Sequence, residues 1–160
     1  MPTERSPLDA LHAEHRCISR RLARLTSSGA PSETQLTSAI ERLVAHLDAH
    51  RRTAHLASAF ASDAARLDSR IRLLLLRLVA LVRLGSWRLD RTLAELEEAF
   101  REHVVMEEDL VWPDLTATHG VAEAAERGLQ LLEAQEDASR RAAAALRNGA
   151  APSPDVESAA

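Results

Sequence analysis

Apolar residues recur along this chain at alternating steps of three and four, the spacing that keeps one face of an α-helix against its neighbours. The first stripe is Leu8, Leu11, His15, Ile18, Leu22 and Leu25. Ser6 and Pro7 open it as a capping side chain and a first-turn proline whose missing N–H costs nothing there, so a helix is predicted from Ser6–Pro7 to about Ser27. Gly29, Ala30 and Pro31 break the chain, and Ser32 with Gln35 forms a capping box for a second helix. Its stripe is Leu36, Ile40, Leu43, Leu47, His50, Ala54 and Ala57. No Gly or Pro marks its end, and the turn into a third helix is placed near Phe60 to Asp63, with Ser62 or Asp63 as cap. The third stripe is Leu67, Ile71, Leu74, Leu78 and Leu81, ending at Gly85; the fourth is Leu89, Leu93, Leu96, Phe100, His103, Glu107 and Leu110. Beyond Pro113 an Ala-rich helix is predicted over about Val121 to Arg147, with a weaker stripe through Ala125, Gly128, Leu132 and Leu146. It is expected to pack across the other helices or against a second copy of the chain. Asn148 and Gly149 end it, and 149–160, with Pro152 and Pro154, reads as a disordered tail.

The stripes repeat. Moving the fourth by 53 positions superposes Leu89 on Leu36, Leu93 on Ile40, Leu96 on Leu43, Phe100 on Leu47 and His103 on His50, but sets Glu107 against Ala54. Moving the third by 56 positions superposes it on the first, with Ile71 against His15. Four helices with short connections predict an all-α fold, an antiparallel up-down four-helix bundle over 6–115 with an additional C-terminal helix over 121–147, as one domain spanning 6–148.

Composition agrees with helices: 46% hydrophobic residues, 5 Gly, 2 Phe, 2 Trp and no Tyr in 160 residues. The net charge is −4, and all 20 basic residues are arginines scattered along the chain, which argues against nucleic-acid binding. Without Lys there is no lysine Schiff base, and without Tyr no phenolic acid or tyrosyl radical. Cys17 is alone, no signal peptide is recognised, and the apolar run Ile71 to Leu84 carries Arg72, Arg77 and Arg83. The expectation is a cytoplasmic protein with no membrane partner; a homodimer follows where the last helix packs against a second copy of the chain.

The chemistry lies inside the stripes. An imidazole or a carboxylate taken from water into a core is costly unless paired or coordinated, and a metal ion answers both. The inward set is His15, His50, His103 and Glu107, enough for a divalent ion such as Fe(II), Mn(II) or Zn(II). His12, His46, His55 and Glu108 flank these positions as candidate outer-shell partners. Trp87 and Trp112 fall at helix ends, where they would seal the bundle, and Arg70 and Arg72 are expected on a solvated edge.

Three segments carry a resemblance: HAEH at His12 to His15, HLDAH at His46 to His50 and HVVMEEDLVWP from His103 to Pro113. With them the chain, over about Leu8 to Leu115, resembles the hemerythrin-like family of HHE cation-binding four-helix bundles. The resemblance implies a non-haem di-iron centre, with one histidine from each of four helices and bridging carboxylates from the second and fourth. Such centres bind oxygen, sense oxygen or iron, or process peroxide or nitric oxide. Carried over residue by residue, the ligands fall on His15, His50, His103 and Glu107. The second-helix carboxylate falls on Ala54 and the third-helix histidine on Ile71, two departures that leave one side of a paired centre short of ligands. Two irons need bridging anions to offset their repulsion. A single ion, iron before Zn or Mn, is therefore expected, with a small pocket beside Ala54 for oxygen or an organic substrate. Three functions stay open: a metal protein that binds or senses a small molecule, a metal-dependent enzyme of oxygenase type in a specialised pathway, and a metal-free bundle serving as a structural or partner-binding protein.

Overall fold

The computed structural model describes residues 6–29, 31–53, 58–85 and 89–147, and every regular element among them is helical. The helices are α1 (Pro7–Ser27), α2 (Glu33–Thr53), α3 (Ala61–Arg83), α4 (Leu89–Met106), α5 (Trp112–His119) and α6 (Val121–Arg147), with a π-helical turn at Glu107–Val111 joining α4 to α5. Ala54, His55, Ala57, Trp87 and the predicted tail lie outside the described residues. No helix among the described residues is long and apolar enough to cross a membrane.

The predicted starts of α1 and α2 are observed. Ser6 Oγ accepts from the Leu8 N–H at 3.3 Å with Pro7 in the first turn, and Ser32 and Gln35 exchange the reciprocal bonds of a capping box at 2.9 and 3.3 Å. The turn into α3 departs from expectation. Neither Ser62 nor Asp63 caps it: α3 already begins at Ala61. Instead Ser58 Oγ and the Ala59 N–H both donate to Asp114 of α5 at 2.9 Å, which ties this turn to a helix 56 positions further along the chain.

Three stripes are corrected in phase. On α3 the buried residues are Ala64, Asp68, Ile71, Leu75 and Leu78, while Leu67, Leu74 and Leu81 are only half-buried. On α6 they are Ala124, Gly128, Leu131, Gln135 and Ala138, rather than a line through Ala125 and Leu132. On α4 the stripe holds to Glu107, but Val111 is buried and Leu110 turns outward. The π turn is the reason, because its wider ring inserts one residue and advances the inward face by one position. It ends two residues before Pro113, which has no N–H to close an α-turn and whose ring would collide with the carbonyl four residues back.

α1 packs on α2, α4 and α6; α2 packs on α3 and most extensively on α6; α3 packs on α4. A second helix therefore covers α2, and Ala39, Ala45 and Ala49 are buried as well as Leu36, Leu43 and Leu47. Glu14 of α1, nearly buried, accepts from Arg42 of α2 at 2.7 Å and from Gln135 of α6 at 2.6 Å, a polar clasp joining the three helices. Gly128 lets α6 come close to the start of α1: a Cβ there would lie 3.2 Å from that of Pro7.

The core has two apolar parts. One contains Ile18, Leu22, Leu43, Leu47, Ile71, Leu78, Leu93 and Phe100; the other contains Leu11, Ala49, Ala64, Val111, Trp112 and Leu131. In sequence His15 falls between Leu11 and Ile18, and His103 between Phe100 and Val111, so the polar residues form a layer where the two parts meet.

Candidate metal centre

Five side chains converge on that layer: His15 from α1, His46 and His50 from α2, His103 from α4 and Glu107 from the π turn. Each is buried, and one donor atom from each lies within 4.8 Å of all the others. Such a group could hold a metal ion. The four residues expected to point inward do so together. His46, expected only as an outer partner, joins them, its ring centroid 5.1 Å from that of His15, 4.2 Å from His50 and 5.3 Å from His103.

Glu107 sits at the centre of the contacts. Its Oε2 is 3.0 Å from His15 Nε2, its Oε1 is 3.5 Å from His103 Nε2, and the same Oε1 contacts His50 Nδ1. The Nε2 atoms of His46 and His103 face each other at 3.2 Å, an arrangement that needs a proton or a cation between two lone pairs. His46 Nδ1 is buried without a hydrogen-bond partner among the described residues.

Two carboxylates stand behind the ring of donors. Asp68 of α3 places Oδ1 2.9 Å from His103 Nδ1, and Glu108 places Oε1 2.8 Å from His15 Nδ1. Glu108 is hydrogen-bonded to His15 Nδ1, which fixes that ring's tautomer and leaves Nε2 free to bind an ion, whereas Asp68 meets His103 Nδ1 as a close charge contact without hydrogen-bond alignment. Both acids stand on the Nδ1 side, and both Nε2 atoms are directed into the cluster. Glu108 is in contact with His15 and is not one of the five clustered side chains. His12 is half-buried on α1 and outside the cluster, and His55 lies outside the described residues. Ile71, where the resemblance would put a histidine, is fully buried in the aliphatic core. The contribution of α3 is Asp68, one turn earlier on the same face, a carboxylate where the resemblance implies an imidazole.

Charge in this dry layer is strongly redistributed. Burial alone would raise Glu107, but His50 and His103, with hydrogen bonds from His15 and His50, hold it well below the usual carboxylate range. Burial pulls His15 down, and hydrogen bonds to Glu107 and Glu108 overturn this and bring it up to about 9. His46 is held well below the ordinary imidazole range by burial first, then by His50, His103 and His15. Without metal the layer therefore holds ionised Glu107, protonated His15 and neutral His46. One cation about 4 Å from the acid is worth about 4 kcal/mol at an effective dielectric near 20, comparable with the several kcal/mol that burying a carboxylate costs. A divalent ion brings twice that charge.

Outside the layer, Arg70 pairs with Glu102 at 2.6 Å and Arg72 with Asp48 at 2.9 Å, placing the α3 arginines on the rim as expected. Trp112 is buried among apolar residues, consistent with a sealing role. No family model, curated protein or solved structure matches this chain.

Proposed function

We propose that the chain is a hemerythrin-like non-haem metal protein that holds one divalent ion, iron before zinc or manganese, through His15, His46, His50, His103 and Glu107. The observation that carries this reading is the convergence of five buried donor atoms within 4.8 Å of one another. Donors bonded to one ion at about 2.0–2.2 Å stand at most about 4.4 Å apart, so the span fits a single ion with little closure. Four imidazoles and one carboxylate leave a divalent ion with one unit of net charge, which favours an anionic or polarisable ligand at a remaining position. The neighbour relations of α1 to α4 support an up-down four-helix arrangement with α6 laid over α1 and α2.

In this reading the chain's own residues have separable tasks. Glu108 holds the ring of His15 in register, Asp68 places negative charge beside Nδ1 of His103, the apolar parts of the core exclude water, and Glu107 supplies the negative charge at the centre. The ion supplies Lewis acidity and, as iron, one-electron chemistry, with which the protein binds or senses oxygen or a comparable small molecule. A metal-dependent enzyme acting on an organic substrate is the second reading. It is favoured by a surface groove that reaches His15.

Metal analysis of protein produced with iron, together with an optical spectrum taken with and without oxygen, tests the proposal. One iron per chain and an oxygen-dependent band support it. A colourless, metal-free protein that also fails to bind added Fe(II), Zn(II) or Mn(II) would show a bundle kept for structure or partner binding.

A further inference from the structure

One groove on the surface touches the cluster. It has a volume of about 280 Å³, lies between α1 and α4, and is lined by His15, Arg16, Ser19, Arg20, Val104 and Glu108. His15, only 1% exposed, is its floor, and Glu108, 29% exposed, connects that floor to solvent. The volume is just under the roughly 300–1,000 Å³ of drug-sized pockets, so the groove suits a molecule of a few carbons.

Its charge is one-sided. Arg16 and Arg20 stand one turn apart on α1, and Arg20 Nε donates to the Arg16 carbonyl at 3.2 Å, which holds its guanidinium back along the helix toward Arg16. Among the described residues neither guanidinium is within ion-pair distance of an acid, and Arg16 acts on Glu108 only through its longer-range field. The one acid in the lining, Glu108, is engaged with His15. Two forked cations beside an apolar Val104 wall match a short molecule with a carboxylate at one end and carbon at the other.

We propose that this groove is a binding site for a small organic carboxylate, held by Arg16 and Arg20 with its carbon chain along Val104 and above His15. This deepens the metal reading and rests on it only for what the bound molecule meets beyond His15. The carboxylate is the substrate or effector that the buried centre acts on or responds to, and Arg16 and Arg20 set its specificity.

The test uses propionate as probe, propionamide as its neutral counterpart, and the full chain as wild type and as the R16Q/R20Q double variant, at fixed ionic strength. With Co(II) loaded, relaxation of the propionate methyl protons is measured against a Zn(II)-loaded control. The proposal expects saturable enhancement by cobalt, at least tenfold weaker propionate binding in the variant at unchanged cobalt content and helicity, and no saturable effect with propionamide. Equal binding by the variant, equal binding of propionamide, or propionate binding without cobalt enhancement would each overturn it. If Co(II) does not bind, the metal reading fails separately. The groove is then judged by saturation transfer from the metal-free protein to propionate, where the same loss in the variant is expected and its absence is decisive.

Discussion

Asp68 Oδ1 lies 2.9 Å from His103 Nδ1, which joins α3 to the buried His/Glu layer through a carboxylate outside the five clustered side chains. Its negative charge beside Nδ1 favours the arrangement in which Nε2 of His103 faces Glu107 and His46. Replacing such an outer partner costs about 10–100-fold in metal affinity. Asp68→Ala is expected to fall in that range and Asp68→Asn, which keeps an acceptor but no charge, to fall between it and wild type. Competition against a chelator of known affinity measures both, with helicity as the control for folding.

Stability of the metal-free protein should depend on pH with two opposed signs. His15 is raised to about 9, so its contribution is complete below the unfolded value of 6.5 and is lost as pH climbs through 9. His46 is depressed, so its contribution is present above 6.5 and is lost as pH falls below it, by up to about 1.4 kcal/mol per unit. These two groups together put the maximum near 6.5. Metal must displace the His15 proton, so the loaded protein should have its maximum at higher pH, with about one proton released per ion near neutrality. Denaturant unfolding across pH, and calorimetry in buffers of different ionisation enthalpy, read the two effects.

His46→Leu separates a ligand from a core residue. A buried imidazole among three others is poorly placed without metal, and an aliphatic side chain of similar size is tolerated there. The expected outcome is an unchanged or higher melting temperature without metal, together with at least tenfold weaker metal binding. Unchanged affinity would return His46 to an outer role.

Arg42→Ala tests whether α6 belongs to the same cooperative unit as the site. It leaves Glu14 nearly buried with Gln135 as remaining partner, at an expected cost of about 1–3 kcal/mol. The loss should appear as one unfolding transition at lower denaturant, followed by far-ultraviolet circular dichroism. Loss confined to a separate low-stability transition would show that α6 unfolds independently.

Much of this was legible in the pattern of the chain. The α1 stripe delivered His15 because a single face of that helix carries the large apolar side chains, and the matching heights of His50 and His103 followed from the 53-residue repeat. His46 escaped because one seam per helix was assumed, whereas α6 buries a second side of α2; Ala39, Ala45 and Ala49 were the available signal of close approach there. Asp68 is hidden in the sequence because α3 carries leucines on several sides, and a line through Leu67, Leu74 and Leu81 shares Ile71 and Leu78 with the buried face but runs one step from Asp68 and Leu75. Leu110 was placed inward by an α-helical count that the π turn before Pro113 interrupts. The turn at Ser58 depends on Asp114, a contact across 56 positions that local propensity does not encode.

The most direct test is an anaerobic titration of the purified metal-free chain with Fe(II), with bound metal counted per chain for wild type and Glu107→Gln. The account predicts saturation at one ion in the wild type and a loss of affinity of at least tenfold in the variant. Two ions per wild-type chain, or none, would contradict it.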